Sequence, residues 1–299
     1  MDSTDAGTTH ASIGRFRPDN ESRLDRSEQN GVGKSWDDVS AGYSRYVTPT
    51  HFWMGNQGLR LAGLKAGMTF LDIAAGSGAL SLPAARLGAE VLAIDLSPGM
   101  LEYLEAQAAE EGLDRVETRV MDGHNLALPS DTFDVAGSQY GIMLFPDFPR
   151  AVSEAVRVVK PGGRVFVTVY GFPHEIEFLS FFIQALKAVK PGFTGLPSDP
   201  PPHEFQAADP KVLSERLRAA GLNDVRVKSV TEELRFASGG ELWDWIINSN
   251  PIAGMLTSDL GEEEIGAVIE GLERQVRTRS GSNAEAVLTN PTHIGLGVV

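Results

Sequence analysis

The chain has no cysteine. That excludes disulfides, a thiolate nucleophile and cysteine-bound iron–sulfur chemistry. Cationic residues are also scarce: 26 Lys and Arg stand against 40 Asp and Glu, a formal net charge of −14 over 299 residues. An acidic surface repels phosphate backbones, so no nucleic-acid partner is expected. No apolar run reaches the ~18 residues that a membrane span needs. The N-terminus lacks the basic-then-apolar pattern of a secretory leader, and a cytoplasmic location is the expectation. Aliphatic residues are few in 1–33, which is rich in Ser, Thr, Asp, Asn and Gly. Such a segment has no apolar face to bury and reads as a disordered tail, with order beginning near Trp36. The six histidines are His10, His51, His124, His174, His203 and His293. No two of them have metal-site spacing with a third ligand nearby, so no metal is expected.

What is present is concentrated in Phe70-Leu71-Asp72-Ile73-Ala74-Ala75-Gly76-Ser77-Gly78-Ala79-Leu80. An apolar run enters a loop of small residues and then a helix. Without Cβ atoms in the way, such a loop lets backbone approach a nucleotide-like ligand. The next apolar run, Val91 to Ile94, ends at Asp95, 19 residues beyond Gly76. That spacing is close to the one at which a carboxylate reaches a ribose hydroxyl pair. The dinucleotide fingerprint G-x-G-x-x-G is incomplete, because Ser81 stands at its third glycine. A Tyr-x-x-x-Lys pair is missing too. A nicotinamide-dependent oxidoreductase is therefore the second reading and not the first.

Further along, Ser97-Pro98 opens a helix that stops at Gly112. Val116 to Val120 alternates as a strand and delivers Asp122-Gly123. Phe133 to Ser138 is a fourth strand, followed by Gln139-Tyr140-Gly141. A helix over about 147–159 leads to Lys160-Pro161-Gly162-Gly163 and a fifth strand, 164–169. Beyond it, 175–189 reads as an apolar helix, 190–210 as a Pro- and Gly-rich loop, 225–236 as a sixth strand and 239–281 as helical. Residues 293–299 read as a short last strand.

The order of these motifs resembles the class I S-adenosylmethionine (SAM)-dependent methyltransferases. Asp72 to Gly78 resembles their D-x-G-x-G-x-G motif, with Ala74 replacing the first glycine. Asp95, Asp122, Ser138–Gly141 and the Lys160–Gly163 turn match their later motifs in order. Met121–Pro129 and Trp36–Tyr43 resemble the ubiquinone/menaquinone-biosynthesis type and its small-molecule relatives. The resemblance implies a doubly wound, seven-stranded, mostly parallel α/β sheet. Its last strand inserts antiparallel beside the fifth, and a helical cap, 171–208 and 237–288, is inserted after strands five and six of a domain spanning 34–299. It also implies SAM as cofactor, held by Tyr43, Asp72, Ala74, Gly76, Gly78, Asp95, Leu96, Met100, Asp122, Gly123 and Gln139. The acceptor is expected to be a small, apolar or aromatic molecule. The Asn/Asp-Pro-Pro-Tyr motif of the superfamily's nucleic-acid enzymes is absent after strand four. If the acceptor needs deprotonation, His174 is the first candidate base, with His51 and His203 behind it. A third reading is a SAM-binding regulatory protein without turnover.

Overall fold

The computed structural model describes residues 26–299. A helix α1 (Arg26–Asp37) is followed by a wide helical turn over Tyr43–Val47 and by α2 (Thr48–Ala62). Then come β1 (Thr69–Ile73), α3 (Ser81–Arg86), β2 (Glu90–Asp95), α4 (Pro98–Glu110), β3 (Val116–Val120) and β4 (Phe133–Gln139). The chain continues through α5 (Phe148–Val158), β5 (Val159–Tyr170), α6 (Glu177–Val189), α7 (Pro210–Ala219) and β6 (Asn223–Phe236). Helices α8 (Gly239–Ser249), α9 (Pro251–Thr257) and α10 (Glu262–Ser280) precede β7 (Ala286–Val298).

The strands form one sheet in the order β3-β2-β1-β4-β5-β7-β6. β1 pairs in parallel with both β2 and β4, and β7 runs antiparallel between β5 and β6. This is the doubly wound, mostly parallel sheet expected from the motif order. The inner strands are apolar on both sides because helices cover both faces: Phe70, Leu71, Ile73 and Val91 to Ile94 are all buried, and Asp72 is the one acid buried among them. The winding reverses between β1 and β4, so a crevice opens at the carboxyl ends of those two strands.

Local chemistry sets the helix starts. Ser97 accepts a hydrogen bond from Met100 N at 3.0 Å, with Pro98 in the first turn. Asp147, Asp209 and Asn250 cap α5, α7 and α9 in the same way, each with a proline behind.

Several boundaries differ from the expectation. Order does not begin near Trp36: α1 starts at Arg26, and residues 1–25 of the expected tail lie outside the described residues. α1 is anchored by its last residue. Asp37 Oδ1 accepts from Ser97 Oγ (2.5 Å) and from Gly99 N (2.9 Å) at the start of α4. The stretch 239–281 is three helices, broken where Pro251 removes an N–H and again before Gly261. β7 begins at Ala286 and not at His293, because β6 runs on past the sheet and pairs with it, Glu232↔Asn290 and Phe236↔Ala286. Pro291 is tolerated inside this strand. Its carbonyl accepts Gly171 N on the β5 side, just past the last pair with β5, so the missing N–H costs no ladder bond.

Three apolar clusters result among the described residues. One lies along the sheet. A small one packs Ala75, Leu82 and Ala93 against Leu101, Leu104 and Ala108 of α4. The third gathers α6, α8 and α10 with Val47, Phe236 and Leu288 at the carboxyl end of the parallel strands. Trp245 is buried at its centre, edge-on to Phe178 at 4.9 Å and to Phe236 at 6.0 Å.

Candidate cofactor and acceptor site

The loop after β1 is shaped by three residues with left-handed backbone: Ala74 (φ 57°), Gly76 (φ 53°) and Gly78 (φ 100°). Ala74 holds this conformation although it carries a Cβ, and Gly141 makes room for it: a Cβ on Gly141 would lie 2.5 Å from that of Ala74. Gly76 differs from its neighbours in what surrounds it. A Cβ there would meet nothing closer than Tyr43 Cε1 at 3.6 Å, so the position faces open space beside a tyrosine ring. At Gly78 a Cβ would fall 2.5 Å from Leu104 Cδ1, which makes this glycine a packing requirement of the loop against α4. Ser77 closes the loop from above, its hydroxyl 2.5 Å from Thr48 Oγ1 at the start of α2.

Asp95, at the end of β2, ties the two loops together. Its Oδ2 accepts Gly76 N at 2.8 Å and its Oδ1 accepts Ser97 N at 2.9 Å. Burial pushes its carboxyl upward, against the pull of those amides. Asp72 lies beneath the loop, almost wholly buried. Its Oδ2 accepts from Ser81 Oγ at 2.6 Å, while Oδ1 has no partner. Burial raises this carboxyl to about 7, with the Ser81 hydrogen bond opposing and the nearby Asp95 adding to the rise.

Asp122, after β3, accepts from His124 N (2.9 Å) and meets His124 Nδ1 (2.8 Å). Half-burial pushes this carboxyl up, but the His124 hydrogen bonds outweigh it and hold the group below its ordinary value. Gly123 is another packing glycine, since a Cβ would lie 2.7 Å from Phe145 Cε2. Met100 is buried at the first turn of α4, with Leu96 half-exposed beside Asp95.

A cavity of about 800 Å³, counted to its open mouth, adjoins this loop system. Tyr43 belongs to both, because the ring that lies over Gly76 also lines the cavity. Tyr140, Tyr170, Phe178, Phe205 and Ile246 form much of the remaining wall. Tyr140 and Tyr170 stack at 4.6 Å. Burial, reinforced by the Glu232 charge, drives both phenols well above their ordinary values, so they remain neutral. Glu204 lines the cavity as well, and burial raises its carboxyl.

One polar cluster lies in this apolar wall. Glu232 receives His51 Nδ1 on Oε1 at 3.2 Å, and on Oε2 it receives Tyr140 OH at 3.0 Å and Asn290 Nδ2 at 2.9 Å. His51 and Glu232 are each about 2% exposed. No motif points to Glu232, although a signal is present in its strand. Along β6, Glu232 shares the buried face with Leu234 and Phe236, and an acid at a period-two apolar position demands a partner.

Among the expected site residues, Tyr43, Asp72, Ala74, Gly76 and Asp95 converge around one space. Leu96, Met100, Asp122 and Gly123 follow along the carboxyl ends of β2 and β3. Gln139 is turned elsewhere: its Nε2 donates to His51 O at 3.0 Å and so braces α2. His174 is outside the site. It is exposed in the turn 173–175, its ring stacked on Phe172 at 5.7 Å, and it does not line the cavity. The bond from Gly171 N to Pro291 O carries the chain toward β7 as it leaves β5. Among the described residues, no group of three or more His, Asp or Glu is placed to hold a metal, and no helix is long and apolar enough to cross a membrane.

The loop suits an adenosyl cofactor on two counts. Gly76 leaves open the space that a Cβ would fill, and Asp72 Oδ1 is a buried oxygen without a partner. Comparison with known proteins points the same way. A family profile described as a methyltransferase domain matches residues 71–167. A demethylmenaquinone methyltransferase of Clavibacter sepedonicus is 34% identical over 223 residues, covering 70% of this chain and 89% of that protein. A nocamycin O-methyltransferase of Saccharothrix syringae is 31% identical, covering 62% of this chain and 71% of its own length. An uncharacterized protein of Mycobacterium tuberculosis is 32% identical over 63% of this chain, and the match spans 66% of that relative. Among solved structures, the YcgJ protein of Bacillus subtilis shares the fold with a TM-score of 0.51 at 17% identity, covering 82% of this chain and 97% of that one.

Proposed function

The chain belongs to the SAM-dependent methyltransferase family, and on that premise we propose that it methylates a small apolar or aromatic acceptor bound in the cavity beside Tyr43. The observation that carries this reading is the shared wall: one ring covers the loop at Gly76 and lines an aromatic cavity. When bound, SAM supplies a methyl carbon on a positively charged sulfur, which it gives up while the carbon–sulfur electron pair stays on sulfur. The protein's part is to align, to exclude water and to hold the reacting atoms in line.

In this reading Asp95 takes the ribose hydroxyls on the lone pairs that Gly76 and Ser97 leave free. Asp122 and Met100 border the adenine, and Gly76 lets the cofactor approach the loop backbone. Helices α6 and α8 to α10 form the cap that closes the acceptor space. The names of two relatives, a demethylmenaquinone methyltransferase and a nocamycin O-methyltransferase, agree with a small-molecule acceptor.

Asp95→Ala is expected to weaken SAM binding by about 1.5–3 kcal/mol, the worth of hydrogen bonds to a charged group. Calorimetry on the folded variant checks this, and unchanged affinity removes the ribose assignment. The acceptor reading is tested separately. Ala253 lines the cavity, so Ala253→Trp should fill it. The variant should bind SAM and S-adenosylhomocysteine as the parent does and lose turnover in a screen of small phenols and quinols with labelled SAM. A phenol or quinol turned over equally by parent and variant would place the acceptor elsewhere.

A further inference from the structure

We infer that His51, oriented by Glu232, is the general base of this site, and that its acceptor therefore carries an ionisable hydroxyl, a phenol or enol, that becomes an O-methyl ether. The inference rests on the acceptor reading above and adds to it the atom that is methylated.

The hydrogen bonds decide which nitrogen is available. Glu232 Oε1 can only accept from His51 Nδ1 when the proton sits on that nitrogen. In the neutral ring the lone pair is then on Nε2. No described residue hydrogen-bonds to Nε2, and the ring lines the cavity. Tyr140 and Asn290 hold the other oxygen of Glu232, so the carboxylate cannot swing away. The ring itself is packed against Tyr140 at 4.9 Å and against Trp245 at 6.0 Å. Gln139 fixes the backbone of His51, and Thr48, one turn earlier, is bonded to Ser77 of the cofactor loop. A base on this turn of α2 is thus tied to the loop by three residues of rigid helix.

The other titratable groups facing the ring are less suited. Tyr43, Tyr140 and Tyr170 are phenols that burial holds neutral. Glu204 lines the cavity, but its carboxylate is held by its own backbone amide, beside His203, and has no buried anion behind it among the described residues. Glu232 is spent on three donors. Only His51 combines a free acceptor atom with a buried anion behind it to stabilise the imidazolium that forms.

The step balances without any further reagent. The acceptor's O–H bond breaks with its pair left on oxygen, and the proton goes to the lone pair of His51 Nε2. The oxygen then supplies a pair to the methyl carbon, whose bond to sulfur breaks with its pair on sulfur. The proton leaves His51 for solvent after the ether departs, so one proton is released per methyl transferred.

The test uses the full chain loaded with S-adenosylhomocysteine, so that nothing turns over, and 4-nitrophenol as a chromophoric probe. The pH at which the bound phenol ionises is read from its visible absorbance. The parent protein should lower that pH by about one unit relative to the free probe, because transfer to His51 stabilises the phenolate. His51→Gln should bind the probe with its ionisation no longer lowered. Glu232→Gln, which keeps the ring but removes the anion behind it, should lose most of the shift, and it decides the matter if His51→Gln does not fold. A probe that binds with the same lowered ionisation in every variant would overturn the assignment of His51 while leaving the acceptor cavity intact. A probe that ionises in the bound parent as it does in water would overturn it equally. Failure of the parent to bind 4-nitrophenol at all would overturn the aromatic-acceptor reading beneath it.

Discussion

Gly76→Val is expected to lower SAM affinity by about 100-fold or more while leaving a folded protein. The chain itself does not forbid the side chain, since a Cβ at this position has only Tyr43 Cε1 within reach, at 3.6 Å. What it enters is the space next to that ring, where backbone has to meet the cofactor. The fold pays a separate and smaller cost. With φ at 53°, a β-branched residue is strained by about 1–3 kcal/mol. Calorimetry with SAM and S-adenosylhomocysteine, alongside a melting curve, separates the two effects. Affinity that survives in the folded variant would mean that the loop does not touch the ligand, and the cofactor site would have to be sought elsewhere. Gly78→Ala offers the contrast. Its Cβ collides with Leu104 and Leu82, so it should cost stability first and affinity only as a consequence.

The second large effect belongs to Asp72 and appears as pH dependence. Its carboxyl is raised to about 7 in the fold by burial, against an ordinary value of 3.8. A group raised in this way favours the folded state while protonated. Its contribution is whole below the unfolded value, declines from about pH 4 upward, and is gone once pH has passed about 7. A difference of about three units corresponds to about 4 kcal/mol over the whole window, and about 2.5 of these are lost between pH 5 and pH 8. Asp72→Asn cannot ionise and keeps an oxygen for Ser81. Measured without cofactor, the variant should gain on the parent by about 2.5 kcal/mol between pH 5 and pH 8, several degrees in melting temperature. A difference between the two proteins that does not change with pH would show that Asp72 is not held as a neutral acid.

Much of the candidate cofactor loop was legible because its signals are local. The strand, small-residue loop and helix around Gly76 lie within a dozen residues. Asp95 reaches back 19 residues along the βαβ unit to bond Gly76, a distance set by the length of one helix and one strand. Local spacing could not separate the duties of the two glycines, however. Gly76 faces open space and Gly78 faces Leu104, and only packing distinguishes them. Gln139 was misdirected for the same reason. The alternation of β4 says which face it occupies, not that α2 lies there to take its amide.

The acceptor side was legible only in part. His174 follows β5 in sequence, yet the chain turns toward Pro291 as it leaves the strand and carries the ring to the surface. His51 and Glu232 are 181 residues apart, and Tyr140 and Asn290 come from two further segments. No period or spacing links residues so distant. The one hint was an acid on the buried face of β6, and its meaning depended on which histidine the fold would bring to it.

The sequence by itself determined the parallel sheet, the order of its motifs and the small-residue loop around Gly76. Each of these is encoded in contiguous residues whose periodicity and lack of Cβ atoms act within a few turns of chain. The tertiary structure decided which histidine lines the cavity, which glycine is a packing glycine and where the cavity's aromatic walls come from. Those outcomes depend on contacts between α2, β4, β6 and β7, and the pairing of β6 with β7 is what draws Glu232 and Asn290 beneath His51.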